Sequence, residues 1–349
     1  MKWKAAAILL LAGLVCMSGC GNPETLSRDG EETAMTEEAA VTEETAKTEE
    51  DVTEEAEGTA EEQENGGEPD GLGENGTQNS GEALAETGTG NSGDTDPQTE
   101  QRAGRTEDSV TEGMEEYRGF VLDNVLHSEE QGDIHFNLYV PDSYDGSRPV
   151  AVFFTLPGYE GLYFQGVGEN LYSEEFGFQA QAYDPEMIVV APQLSDWGET
   201  SADQTIALVE YFLSNYNIDP SRVYAEGYSG GGETLSLVMG KRPELFTAYL
   251  QCSSQWDGEY DAVAENRTPV YFVVGESDEY YGSEPSEEAY QNLYQRYQEE
   301  GLSEEEIQDI LVLDVKDAAY FESRGVSVQH GGGNLFAQDE EIMGWLFGK

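Results

Sequence analysis

Residues Arg222 to Gly232 constrain this chain more than any other stretch. Val223 to Ala225 is a short apolar run, Gly227, Tyr228, Ser229, Gly230 and Gly231 form a sharp bend, and Glu233 to Met239 opens a buried helix. A serine between glycines at a strand-to-helix bend needs those glycines, because a side chain at Gly227 or Gly231 would crowd the crossing strand and helix. The bend lifts Ser229 Oγ clear of the sheet edge. Glycine is common here, 40 of 349 residues, so the pattern gains meaning only from its surroundings.

Those surroundings alternate strand with helix. Phe120 to Val125 and His135 to Val140 read as a strand pair, and Pro149 to Thr155 is a continuous apolar run expected of a central strand covered on both faces. Met187 to Ala191, Ala248 to Cys252 and Pro269 to Val274 read as further strands. Helical spacing recurs over Gly166 to Tyr183, Asp203 to Tyr216, Ser286 to Glu300 and Asp339 to Phe347. This order predicts an α/β fold: a doubly wound, mostly parallel sheet of about eight strands flanked by helices.

The folded part is expected to span 117–349. Residues 1–20 read as a lipoprotein signal peptide: Lys2 and Lys4, an apolar run from Ala5 to Val15 too short to span a bilayer, then Ser18 and Gly19 before Cys20. That ending resembles a bacterial lipobox, which implies lipidation at Cys20 and a protein held by its lipid outside the cytoplasmic membrane. Residues 21–116, with Thr-Glu-Glu repeats grading into Gly, Asn, Ser and Thr, have almost nothing to bury and read as a disordered acidic tether.

The formal charge of −56 is not confined to that tether. Residues 117–349 alone carry 42 acidic and 10 basic side chains. Such a surface repels nucleic acid and anionic membrane, which excludes nucleic-acid partners and leaves the lipid as the only membrane contact. Of the three cysteines only Cys252 falls in the folded part, so no disulfide forms there, and Cys252 reads as a small buried apolar residue.

A serine at such a bend needs a base, and the base an orienting acid. After the strand ending at Val274 come Glu276, Asp278 and Glu279, on the loop leaving its C-terminal end, where sites lie in open α/β sheets. Asp278 is taken as the orienter, with its two neighbours as alternatives. Of three histidines, His127 and His135 lie in the first strand pair, and only His330 follows the acid, in a glycine-rich loop before the last helix. Backbone N–H groups of Gly230 and of Tyr159, on the loop after the strand ending at Thr155, are the candidate donors to an oxyanion.

In these motifs the chain resembles the α/β-hydrolase superfamily over roughly 117–349. The stretch Asn217 to Gly231 is similar to the secreted polyhydroxyalkanoate-depolymerase and feruloyl-esterase group and to the prolyl-oligopeptidase group. The resemblance implies a two-step acyl transfer through Ser229, His330 and Asp278, with no metal or organic cofactor. Trp197 and Trp256 follow strands on the same edge and are candidates for an aromatic pocket wall. The expected substrate is a small-molecule or carbohydrate-linked ester. A serine peptidase and a catalytically silent surface binding module are the rival expectations.

Overall fold

A computed structural model describes residues 108–349; the signal sequence with Cys20, and the tether up to residue 107, lie outside the described residues. Ten strands form one mixed sheet in the order β1-β3-β4-β6-β5-β7-β8-β9-β10, with β2 paired to β3 beside this path. The strands run β1 (Ser109–Thr111), β2 (Glu115–Tyr117), β3 (Phe120–Ser128), β4 (Gly132–Tyr139), β5 (Val150–Leu156), β6 (Ile188–Pro192), β7 (Ile218–Tyr228), β8 (Ala248–Cys252), β9 (Val270–Gly275) and β10 (Leu311–Lys316). Pairs among β1 to β4, and β4 with β6, are antiparallel; from β6 to β10 every pair is parallel.

Sheet order explains the continuous apolar run of β5. It lies between β6 and β7 with every residue buried, Val152 and Phe154 feeding the core on one face while Ala151 and Phe153 feed the other. The chain leaves β5 on one side to make β6 and returns on the other to make β7. That reversal opens a crevice at the C-terminal ends of β5 and β7, where ligands bind in open α/β sheets.

Helices cover both faces: α1 (Glu169–Ser173), α2 (Phe176–Tyr183), α3 (Glu199–Asn215), α4 (Gly230–Lys241), α5 (Asp261–Asn266), α6 (Glu284–Glu299), α7 (Glu304–Ile310), α8 (Ala318–Glu322), α9 (Asn334–Ala337) and α10 (Glu340–Phe347). The doubly wound expectation holds, with three corrections. The helical stretch over 166–183 is two helices, broken at Glu174 and Glu175. Leu311–Lys316 is a tenth strand, reached from β9 through α6 and α7, so this segment is a crossover.

The third correction is the boundary at Tyr117. Ser109–Thr111 pairs with Val125–His127, and Glu115–Tyr117 with Phe120–Leu122, so the fold begins within the stretch read as tether. These strands bury no side chain fully: Val110 and Tyr117 pack half-buried against the core, and backbone pairing with β3, which composition does not report, does the rest.

Candidate active site

The bend after β7 has the geometry its glycines require. Ser229 sits at φ 53°, ψ −124°, a conformation side-chain-bearing residues seldom adopt. A Cβ on Gly227 would stand 2.6 Å from the carbonyl oxygen of Gly231, and one on Gly231 only 2.2 Å from that of Leu156. Neighbouring strands hold the strained residue: Ser229 N–H donates to the Cys252 carbonyl at 2.9 Å, and Ser254 Oγ donates to the Ser229 carbonyl at 2.6 Å.

Ser229 Oγ lies 3.1 Å from His330 Nε2, and His330 Nδ1 lies 2.9 Å from Asp278 Oδ2 and 3.1 Å from Oδ1. A carboxylate can only accept, so Nδ1 carries the proton and Nε2 is left to accept from the serine. Burial alone would push the Asp278 carboxyl up. The hydrogen bond from His330, the backbone N–H groups of Tyr281 and Tyr280, and the imidazole's charge together bring it below its ordinary value. The orienting acid is therefore ionised at neutral pH, and its side chain is fully buried.

The three neighbouring carboxylates divide the work. Glu276 Oε1 accepts the N–H of Ala318 at the start of α8. Glu279 accepts two backbone N–H groups, from Gln329 at 3.1 Å and His330 at 2.9 Å, so it holds the histidine loop while Asp278 holds the ring. Tyr228 donates its hydroxyl to the His330 carbonyl, and its ring fills the space a side chain on Gly333 would need. Sequence reasoning missed both roles, although Tyr228 is the variable residue of the bend itself. His330 opens a short 3₁₀ turn, His330–Gly332; His127 and His135 pair instead with Asp133 and Asp123 in β3 and β4.

A cavity of about 540 Å³ opens above Ser229, and Tyr159, Gly230, Trp197 and His330 all line it. Gly230 is the first residue of α4 and Tyr159 the first of a 3₁₀ turn, so neither N–H has a partner within its own helix. Trp197 packs on the Gly230 backbone: a Cβ there would meet its ring at 2.7 Å. Trp256 is not part of the wall. It stacks on Tyr260, packs against Tyr249 and Phe272, and donates its indole N–H to the Gly258 carbonyl.

Two buried acids flank the oxyanion loop. Glu174 accepts the Gly158 N–H at 2.9 Å; burial pushes its carboxyl up, that bond pulls it down and the charge of Glu160 raises it, leaving it at about 8. Glu226 on β7 accepts from Thr155 Oγ1 at 2.7 Å, and its Oε1 has no partner among the described residues. Burial first, and then the nearby Glu174, raise its carboxyl well above the ordinary carboxylate range. Among the described residues no lysine or arginine lines the cavity.

Residues 194–305 match the model of the prolyl oligopeptidase family. Feruloyl esterase B of Thermothelomyces thermophilus is 31% identical over 144 residues, 39% of this chain and 49% of that protein. The chain thus spans about half the length of this curated relative. A thermostable esterase of known structure superposes with a TM-score of 0.51 at 22% identity, over 66% of this chain and 63% of its own. That likeness is one of fold, an α/β fold with a mostly parallel sheet flanked by helices.

Proposed function

We propose that this chain is an extracellular serine esterase that cleaves an uncharged ester through an acyl-enzyme at Ser229. The single observation carrying this reading is the continuous relay from Ser229 Oγ through His330 to Asp278, at the mouth of a cavity walled by aromatic rings. In the first step His330 Nε2 takes the serine proton as Oγ attacks the ester carbonyl. The N–H groups of Gly230 and Tyr159 receive the oxyanion. The imidazolium, held by Asp278, returns the proton to the departing alcohol, and water repeats the sequence to free the acid.

Cavity chemistry narrows the substrate. Glu160 and Glu174 line it without any lysine or arginine to offset a carboxylate or phosphate on the substrate. Tyr159, Trp197 and Tyr280 present ring faces and edges suited to an aromatic acyl group or a sugar. The feruloyl esterase similarity supports an aromatic or carbohydrate-linked ester.

The match to the prolyl oligopeptidase family favours a second reading, a serine peptidase. Fluorophosphonate labelling and a panel of p-nitrophenyl and hydroxycinnamoyl esters beside aminoacyl amides separate the two. Ester turnover abolished by Ser229→Ala and His330→Ala supports the esterase; amide cleavage with little ester turnover favours the peptidase. An unlabelled, well-folded wild type would refute both and leave a binding module.

The resemblance of Ser18, Gly19 and Cys20 to a bacterial lipobox supports a lipid-held position on the outer face of a bacterial cytoplasmic membrane, on a cell surface of Gram-positive type, with secretion as the alternative if that cysteine is not used. Cys20→Ser should move the protein from the membrane fraction to the medium.

A further inference from the structure

Glu174 stands in the break between α1 and α2 with its carboxyl turned inward, only 8% of the residue exposed and lining the cavity. Its Oε1 holds the N–H of Gly158, the residue before the oxyanion donor Tyr159. Gly158 in turn lies flat on the nucleophile: a Cβ there would stand 3.2 Å from Ser229 Cβ and from the Tyr228 ring. This hydrogen bond helps hold the oxyanion loop over the serine, beside the bonds that Gln193 Nε2 donates to the Gly161 carbonyl at 3.0 Å and Gln165 Nε2 to the Tyr159 carbonyl at 3.3 Å.

The break that presents Glu174 is itself tied to the histidine loop. Asn334 Nδ2 donates to the Ser173 carbonyl at 2.7 Å, and its Oδ1 accepts the Glu175 N–H at 2.8 Å. Both residues flanking Glu174 are thus fixed to a side chain that follows His330 by four positions. Asn334 also lines the cavity. The carboxyl, the oxyanion loop and the catalytic histidine form one assembly.

We propose that Glu174 is a positioning residue of the oxyanion hole, and that it serves the reaction only while its carboxyl is protonated. This rests on the esterase reading above. As a neutral acid it accepts from Gly158 without adding charge beside the developing oxyanion. As a carboxylate it places a negative charge next to the atom that must itself become negative, in a water-poor site where repulsion is strong.

The ionisable groups around it do not offset that charge. Glu160 faces it from the oxyanion loop, Glu226 and Tyr228 from β7 and Cys252 from β8, with Asp278 and His330 across the cavity; Glu175 next door is paired outward with Arg118. Burial and Glu160 hold the carboxyl near pH 8 despite the Gly158 bond, so it is neutral over the physiological range.

The test is kcat/KM for p-nitrophenyl butyrate between pH 6 and 10, with fluorophosphonate inactivation rates in parallel, for wild type, Glu174→Gln, Glu174→Ala and Ser229→Ala. The wild type should fall about tenfold per pH unit once the carboxyl ionises. Glu174→Gln keeps an oxygen for the Gly158 N–H and cannot ionise, so it should stay within about threefold of wild type at pH 7 and lose the alkaline fall. Glu174→Ala should be slower by about tenfold or more throughout, because the loop loses its anchor. An alkaline fall unchanged in Glu174→Gln would overturn the proposal, as would a folded Glu174→Ala with wild-type rates; if the alanine variant does not fold, the glutamine variant decides alone. A folded wild type that is unlabelled at every pH would instead overturn the esterase reading, and this proposal with it.

Discussion

Replacing Ser229 by glycine should abolish turnover and make the protein more stable than the alanine variant does. Both substitutions remove the hydroxyl and its contact with His330, so their difference isolates the cost of a Cβ at φ 53°, ψ −124°. A side-chain-bearing residue in such a region costs about 1–3 kcal/mol. Glycine gives back about 0.5–1 kcal/mol through the greater freedom of its unfolded chain. At the middle of both ranges the net advantage of glycine over alanine is about 1 kcal/mol, which for a domain of this size raises the melting temperature by roughly 2–5 °C. The backbone bonds of Ser229 to Cys252 and Ser254 do not involve the replaced side chain, so the strained conformation persists in both variants. Calorimetry of the two variants at one pH reads the difference directly. An alanine variant as stable as the glycine variant would show that the backbone at Ser229 stores no strain, and would refute the reading of its φ and ψ as a cost held by the surrounding fold.

Other consequences can be measured on the same material. Asp278→Asn should lower ester turnover by about 10⁴; because the Asp278 carboxyl lies below its unfolded value, it adds stability that is present above about pH 4 and lost on further acidification, so the variant should have a flatter acid limb in urea denaturation. Glu174 acts with the opposite sign: its carboxyl is raised from 4.5 to about 8, the native state binds the extra proton between those values, and stability drains away as pH climbs through that window. Glu174→Gln should therefore gain about 3 kcal/mol on wild type between pH 4.5 and 7, and a constant difference would contradict the buried-acid reading. Trp256→Ala should destabilise by about 2–3 kcal/mol with KM unchanged, whereas Trp197→Ala should raise KM several-fold at little cost in stability. The reverse pattern would return Trp256 to the pocket wall.

The strand, bend and helix around Ser229 were readable because they are local: apolar run, glycines and helix lie within some twenty consecutive residues, and short-range sterics dictate their conformation. The order of serine, acid and histidine followed from the resemblance to the α/β-hydrolase motifs, and the parallel pairing from β6 to β10 brings the C-terminal ends of those strands to one edge. Choosing Asp278 over Glu276 and Glu279 was a harder matter, since all three share one loop and one chemistry. Only the folded geometry puts Asp278 on the imidazole ring, Glu279 on the backbone of the histidine loop and Glu276 on α8.

What the sequence could not disclose depends on partners distant along the chain. β1 and β2 exist because β3 offers them a backbone ladder, with Val110 and Tyr117 packing half-buried against the core. Trp256 followed a strand as Trp197 did, yet one indole turned to the core and the other to the cavity, a choice made by the volume each found free. Glu174 looks like one more acid among 72, yet packing removed it from water beside Gly158, whose N–H it accepts, and burial raised its carboxyl to about 8. Local sterics set the nucleophile's bend in advance, but charge state and side-chain direction had to wait for the tertiary fold, since burial is a property of the assembled chain alone.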